Sequence, residues 1–227
     1  MLKRIVISAI ALAALLAGEK AFAQPSAVDL GLTSGTLWAS CNVGAGTPEA
    51  PGDHFSWGET TAKNNYSWSN YTHLKSGTNW AEAKFKKYNQ SDNKTTLDDA
   101  DDAATATLGS DWSMPTKAQW QELMSECTWT WTIRNGHKGY LITGPNDNTI
   151  FLPAAGYCDG RTLRGNNGEG YYWSEELYTS STSNSSLRGA WRVLFSKVKN
   201  NTAQVTVNVE ARVFGLSVRA VAVPSGG

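Results

Sequence analysis

Apolar residues recur at helical spacing through the middle of the chain and then alternate from Thr128 onward. Trp80 to Tyr88 predicts a helix with Ala81, Phe85 and Tyr88 on one face. Ala100, Ala103, Ala104, Thr107 and Leu108 continue that spacing, and Gly109 suits a C′ stop. The strongest helix signal is Lys117 to Glu126. Thr116 is a favourable N-cap, Gln119 completes a Thr-x-x-Gln capping box, and Pro115 disfavours helical geometry at Met114. Trp120, Leu123 and Met124 then share one apolar face.

Strands are predicted at Thr36–Ser40, Thr130–Arg134, Gly139–Thr143, Thr149–Leu152, Tyr171–Ser174, Ala190–Phe195, Ala203–Asn208 and Leu216–Val223. Asn135-Gly136 joins two of them as a tight hairpin, and Pro153 stops another. Gly44–Gly52 reads as a loop, Asn64–Gly77 as an irregular excursion pinned by Tyr66, Trp68 and Tyr71, and Gln90–Thr96 as a polar linker. The stretches Gly156–Gly170 and Glu175–Leu187 are long for plain connectors, and such loops often carry function. Helices early and strands late predict an α+β domain without internal repeats.

The amino terminus reads as a secretory leader. Lys3 and Arg4 form the positive region, Ile5–Leu16 the apolar region and Ala21-Phe-Ala23 the cleavage site. The apolar run is short for a membrane span, so export to the periplasm, cell surface or medium is expected. From 227 residues, a leader of 23 leaves 204 (24–227), suited to one domain with a sizeable core. That portion carries 17 basic and 19 acidic residues, a balance near −2 that argues against nucleic acid or an anionic membrane as partner. Ten tryptophans and eight tyrosines are the compositional outlier, and both residue types favour recognition surfaces as well as cores. Cys41, Cys127 and Cys158 leave open one disulfide with a free thiol, or none. No Cys-x-x-Cys or Cys/His cluster suggests zinc.

Several segments together resemble the Fibrobacter succinogenes major paralogous domain. They are Leu37–Ala45, Asp101–Ala104, Trp112–Leu123, Cys127-Thr-Trp129, Phe151–Tyr157, Gly170–Ser174 and Gly215–Val221, in order over nearly all of the exported portion. That family is similar to the C-type-lectin-like fold of formylglycine-generating enzymes and of variable proteins of diversity-generating retroelements. The resemblance implies two main helices flanking a small, twisted antiparallel sheet. It implies a Cys41–Cys127 pair with Cys158 free, and no single activity. In retroelement-diversified relatives the variable positions precede an ending like Gly215-Leu-Ser-Val-Arg219, which here places Asn200, Asn201 and Asn208 in the analogous stretch.

The acidic group Asp98, Asp99, Asp101 and Asp102 is a calcium candidate, but carboxylates at a helix start are more simply explained by the helix dipole. No cofactor is expected. The sugar-binding calcium motifs of animal lectins are absent, and Gly144-Pro-Asn-Asp147 reads as a hairpin turn. No cysteine follows Cys158 to serve formylglycine-type chemistry. His54, His73 and His137 are scattered, and no Gly-x-Ser-x-Gly elbow occurs. Glu175 and Glu176 point to opposite faces if they lie on a strand. On strand alternation Trp191 and Phe195 fall in the core, while Tyr171 and Trp173 fall half-buried. Tyr172, Glu175, Tyr178, Arg188 and Arg192 remain as the ligand-binding candidates. The function expected is non-catalytic binding of a glycan or protein through this loop-and-strand face. The alternative is an adhesive or structural component of a cell-surface assembly, and an uncharacterised hydrolase ranks third.

Overall fold

The computed structural model describes residues 24–179, 186–199 and 202–222. The expected leader, Asn200 and Asn201 lie outside the described residues. The helix expected at Lys117–Glu126 forms as α2, and its capping box closes. The Gln119 N–H donates to Thr116 Oγ1 at 3.0 Å, and the Thr116 N–H donates to Gln119 Oε1 at 2.8 Å. Trp120 and Leu123 are fully buried.

The expectation of two main helices flanking a sheet is overturned. Among the described residues strands make up 40% and helical residues 13%, and α2 is the one helix of seven residues or more. Two local causes are visible. Asp98–Leu108 does not run as one helix, because Asp102 adopts an extended backbone and caps a short α1 (Ala103–Leu108) behind a 3-10 turn at Asp99–Asp101. Trp80–Tyr88 is not helical at all. The Asn79 side chain accepts the Ala81 and Glu82 N–H groups in an Asx turn, and Tyr88 takes a left-handed φ of 58°. Between them the chain forms β5 (Lys84–Phe85), antiparallel to β4 (Leu74–Ser76).

The remaining strands are β1 (Ala27–Asp29), β2 (Leu37–Ala39), β3 (His54–Phe55), β6 (Thr128–Arg134), β7 (His137–Thr143), β8 (Thr149–Pro153), β9 (Tyr157–Asp159), β10 (Thr162–Arg164), β11 (Glu169–Leu177), β12 (Gly189–Lys199), β13 (Thr202–Ala211), β14 (Leu216–Ser217) and β15 (Val221–Ala222). Asn135 and Gly136 both adopt positive φ, as a type I′ turn between β6 and β7 requires. The stretch expected as the loop Gly156–Gly170 holds the small β9–β10 hairpin. The expected terminal strand Leu216–Val223 divides. β14 lies parallel to β11 and antiparallel to β3, whereas β15 pairs with β2.

The principal sheet has the order β13-β12-β11-β14-β3 and separates two cores. On one face Tyr172, Val193 and Phe195 meet Trp120 and Leu123 of α2, Trp38, and Tyr140, Ile142 and Leu152 of the β6-β7-β8 sheet. On the other, Trp173, Tyr171 and Ala190 meet Trp57, Tyr88, Ala103 and Met114. Each fully buried large side chain contributes about 1.5–3 kcal/mol, which makes this doubly covered sheet the stable centre of the molecule. A third, smaller cluster of Tyr71, Ala83, Phe85, Ala211 and Val213 lies where β4 and β5 meet the end of β13.

All three cysteines are free thiols, so the Cys41–Cys127 bond implied by the resemblance is not formed. Cys41 Sγ donates to the Ala45 carbonyl at 3.6 Å, and Cys127 is the C-cap of α2, packed against the core of Trp120, Leu123 and Phe195.

Candidate functional site

The double covering of the principal sheet decides the fate of the candidate binding residues. Tyr172 is not on the surface. It is fully buried, donating its hydroxyl to the Pro153 carbonyl at 2.7 Å and accepting from Asn42 Nδ2 at 3.2 Å. Burial pushes its phenol up to about 12. Arg192 is also buried, although the strand alternation had placed it at the surface. Its Nε donates to Glu210 at 3.2 Å, and its guanidinium lies 4.9 Å from the Tyr171 ring centroid. Tyr171 and Trp173 are buried rather than half-buried, while Trp191 is only partly covered. Tyr178 rests edge-on against Trp191 at 5.2 Å between centroids, and Lys117 Nζ caps that indole at 3.6 Å.

Glu175 sits at a junction. Its N–H donates to the Pro115 carbonyl at 3.0 Å and its carbonyl accepts from Leu97 N–H at 3.1 Å. Burial, reinforced by Asp102, Glu176 and Asp99, raises its carboxyl to about 7. The acidic group beside it is used structurally. Asp102 accepts the N–H groups of Ala104, Thr105 and Met114, fixing the start of α1 to the entry into α2. Asp101 accepts from Tyr88 Oη at 2.6 Å and pairs with Lys87, and Asp98 pairs with Lys87 at 2.6 Å and Lys94 at 2.5 Å.

Arg188, one of the five candidates, lines an open groove of about 760 Å³. One wall is the extended segment running out of β5, carrying Lys84 and Lys86 on either side of Phe85. Leu187 and Arg188, Lys75 of β4 and the segment Asn89–Ser91 complete the lining. Phe85, 8% exposed, turns inward to the third core cluster, while Lys75, Lys84 and Lys86 are exposed. Lys86 Nζ donates to the Thr72 carbonyl at 3.1 Å. Lys75, Lys84 and Arg188 form no ion pair among the described residues. Trp80, 39% exposed, stands beside the Leu187–Arg188 wall. A Cβ on neighbouring Gly189 would lie 3.1 Å from its Cη2.

Arg212 holds the two walls together. It is fully buried, and its Nη1 donates to both Tyr88 O and Leu187 O at 3.0 Å, one acceptor from each side of the groove. Nη2 donates to Lys87 O and Nε to Tyr71 Oη, each at 3.1 Å. Its guanidinium lies 3.9 Å from the Phe85 centroid, with Trp57, Tyr71 and Tyr88 completing an aromatic cage. No carboxylate among the described residues pairs with it, so its positive charge sits against Phe85 of the groove lining.

Lys75, Lys84, Lys86 and Arg212 escaped the sequence reading. The available signal was the alternation Lys84-Phe85-Lys86, a half-buried extended segment with its charges outward. The helical spacing assigned to Trp80–Tyr88 hid it. A second cleft, of about 290 Å³, is lined by Glu59, Lys63, His73 and Asp101. Its charges are consumed internally: Glu59 accepts from Thr72 N–H at 2.6 Å and pairs with Lys63, and His73 Nε2 meets the Gly58 carbonyl at 2.7 Å.

No helix among the described residues is long and apolar enough to cross a membrane. Comparison with family models, curated proteins and solved structures finds no match. The function therefore rests on the geometry of the chain itself.

Proposed function

We propose that this protein is an exported, non-catalytic recognition domain that holds a glycan or protein ligand in the groove between Lys84–Lys86 and Leu187–Arg188. The observation that carries the reading is an open groove of about 760 Å³ lined by Lys75, Lys84, Lys86 and Arg188, none of which forms an ion pair among the described residues. That volume is typical of ligand clefts, and the lining sets Ala83, Phe85 and Leu187 among cationic and neutral polar side chains. Arg212 supports it by fixing both walls in place before any ligand arrives, which lowers the ordering cost of binding. The leader pattern of residues 1–23 supports export.

Charge reversal at two exposed wall positions tests the reading. The Lys84→Glu/Arg188→Glu double variant should lose hits on a glycan array, or capture of extracellular protein ligands, with its melting temperature unchanged. Binding that survives the double variant at full strength would place the recognition surface elsewhere.

A further inference from the structure

Resting on the groove as the binding site, we infer that its ligand is an anionic polysaccharide, bearing carboxylate or sulfate groups, and that Trp80 stacks on a sugar ring beyond the charged walls. Three observations converge. First, the charge in the groove is of one sign. Lys75, Lys84, Lys86 and Arg188 line it, with no acidic side chain among its lining residues, and Arg212 adds an unneutralised charge behind Phe85. A cleft with low-dielectric walls and one sign of charge concentrates counter-charged ligands.

Second, the cations are distributed rather than convergent. Lys84 and Lys86 are two residues apart in an extended segment, continued by the Lys86 N–H donating to the His73 carbonyl at 2.8 Å. Side chains at that spacing point to the same side about 7 Å apart. Lys75 and Arg188 come from two further segments of the lining. This spread matches a repeating anion along a chain better than a single charged group. Arg188 supplies a fork suited to carboxylate or sulfate oxygens, whereas the lysines act as point charges.

Third, Trp80 is one of three large apolar side chains left exposed among the described residues, and it packs beside the Arg188 wall against Gly189. An exposed indole beside Gly189, the residue after Arg188, offers a flat apolar face to the C–H face of a pyranose, and an acidic peptide has no equivalent rigid face to lay on it. The net charge near −2 concealed this surface because the compensating carboxylates are elsewhere, paired with Lys63, Lys87 and Lys94.

The test is titration of the full exported chain with polygalacturonate and with dextran sulfate, against neutral dextran and poly-glutamate, at low and high salt. We expect binding of at least one anionic polysaccharide, weakened tenfold or more by Lys84→Glu and strongly by salt. Trp80→Ala should weaken the polysaccharide several-fold, and Trp80→Phe should recover part of the loss, with melting temperatures unchanged in both. The preferred polysaccharide would assign carboxylate or sulfate. Poly-glutamate binding as tight as the polysaccharides, indifferent to Trp80→Ala but lost in Lys84→Glu, would overturn the sugar class while leaving the groove as a site for acidic peptides. Neutral dextran binding as well as its sulfated form would overturn the anionic class. Polysaccharide binding untouched by Lys84→Glu and by the double charge reversal would overturn the inference and the groove reading together.

Discussion

Replacing Glu175 with glutamine should stabilise the protein at alkaline pH and leave it unchanged in acid. Its carboxyl is raised from 4.5 to about 7, chiefly by burial and then by Asp102, Glu176 and Asp99. Below pH 4.5 the group is protonated in both folded and unfolded chains, so it adds no difference. Between pH 4.5 and 7 the unfolded chain releases the proton while the folded chain retains it, and folding loses stability as pH rises. Above 7 the loss is complete. Linkage over that interval corresponds to at most about 3 kcal/mol, and solvent screening of a half-buried group brings this to roughly 1–2 kcal/mol. Glutamine keeps the shape and removes the charge, so the variant should recover that amount at pH 8 and nothing at pH 4. Relief of Asp102, itself held above the usual carboxylate range by burial, acts in the same direction. Urea unfolding followed by tryptophan fluorescence at both pH values measures the difference. A variant equally stable to the parent at pH 8, or less stable, would refute the electrostatic account of this junction.

Two further substitutions probe the frame around the groove. Arg212→Met should cost about 3–4 kcal/mol in urea unfolding, because it leaves the Tyr88, Leu187 and Lys87 carbonyls without their donor in a buried setting. A loss below about 1 kcal/mol would mean that the aromatic cage, not the hydrogen bonds, holds the walls. Gly170→Ala places a Cβ 2.1 Å from Phe195 Cζ in the principal sheet and should lower stability by about 1–3 kcal/mol, with Phe195 displaced in a crystal structure. An unchanged melting temperature would show that Phe195 moves freely.

Some elements could be read directly from local sequence. Thr116 and Gln119 cap α2 as their spacing requires, and Asn135-Gly136 turns β6 into β7, because both signals act through hydrogen bonds or backbone angles within a few residues. The alternation in Trp191 to Phe195 likewise announced a strand. It could not announce which face was wet. Tyr171, Tyr172, Trp173 and Ser174 are consecutive and all buried, because the sheet has a core on each side, and period-two reasoning assumes one solvated face. The same covering buried Arg192. In the segment Trp80–Tyr88, helical spacing was real but lost to the Asn79 side chain and the left-handed Tyr88.

The amino-acid sequence by itself determined the capped helix, the tight hairpin and the run of late strands, since each is specified by neighbours along the chain. Only the tertiary structure decided that β4–β5, Leu187–Arg188 and Arg212 meet. Arg212 reaches carbonyls 124 and 25 residues away, and the lysines it backs read individually as ordinary solvated charges. A groove of one charge sign is a property of their juxtaposition, and juxtaposition is set by which apolar faces pack together, not by any local pattern.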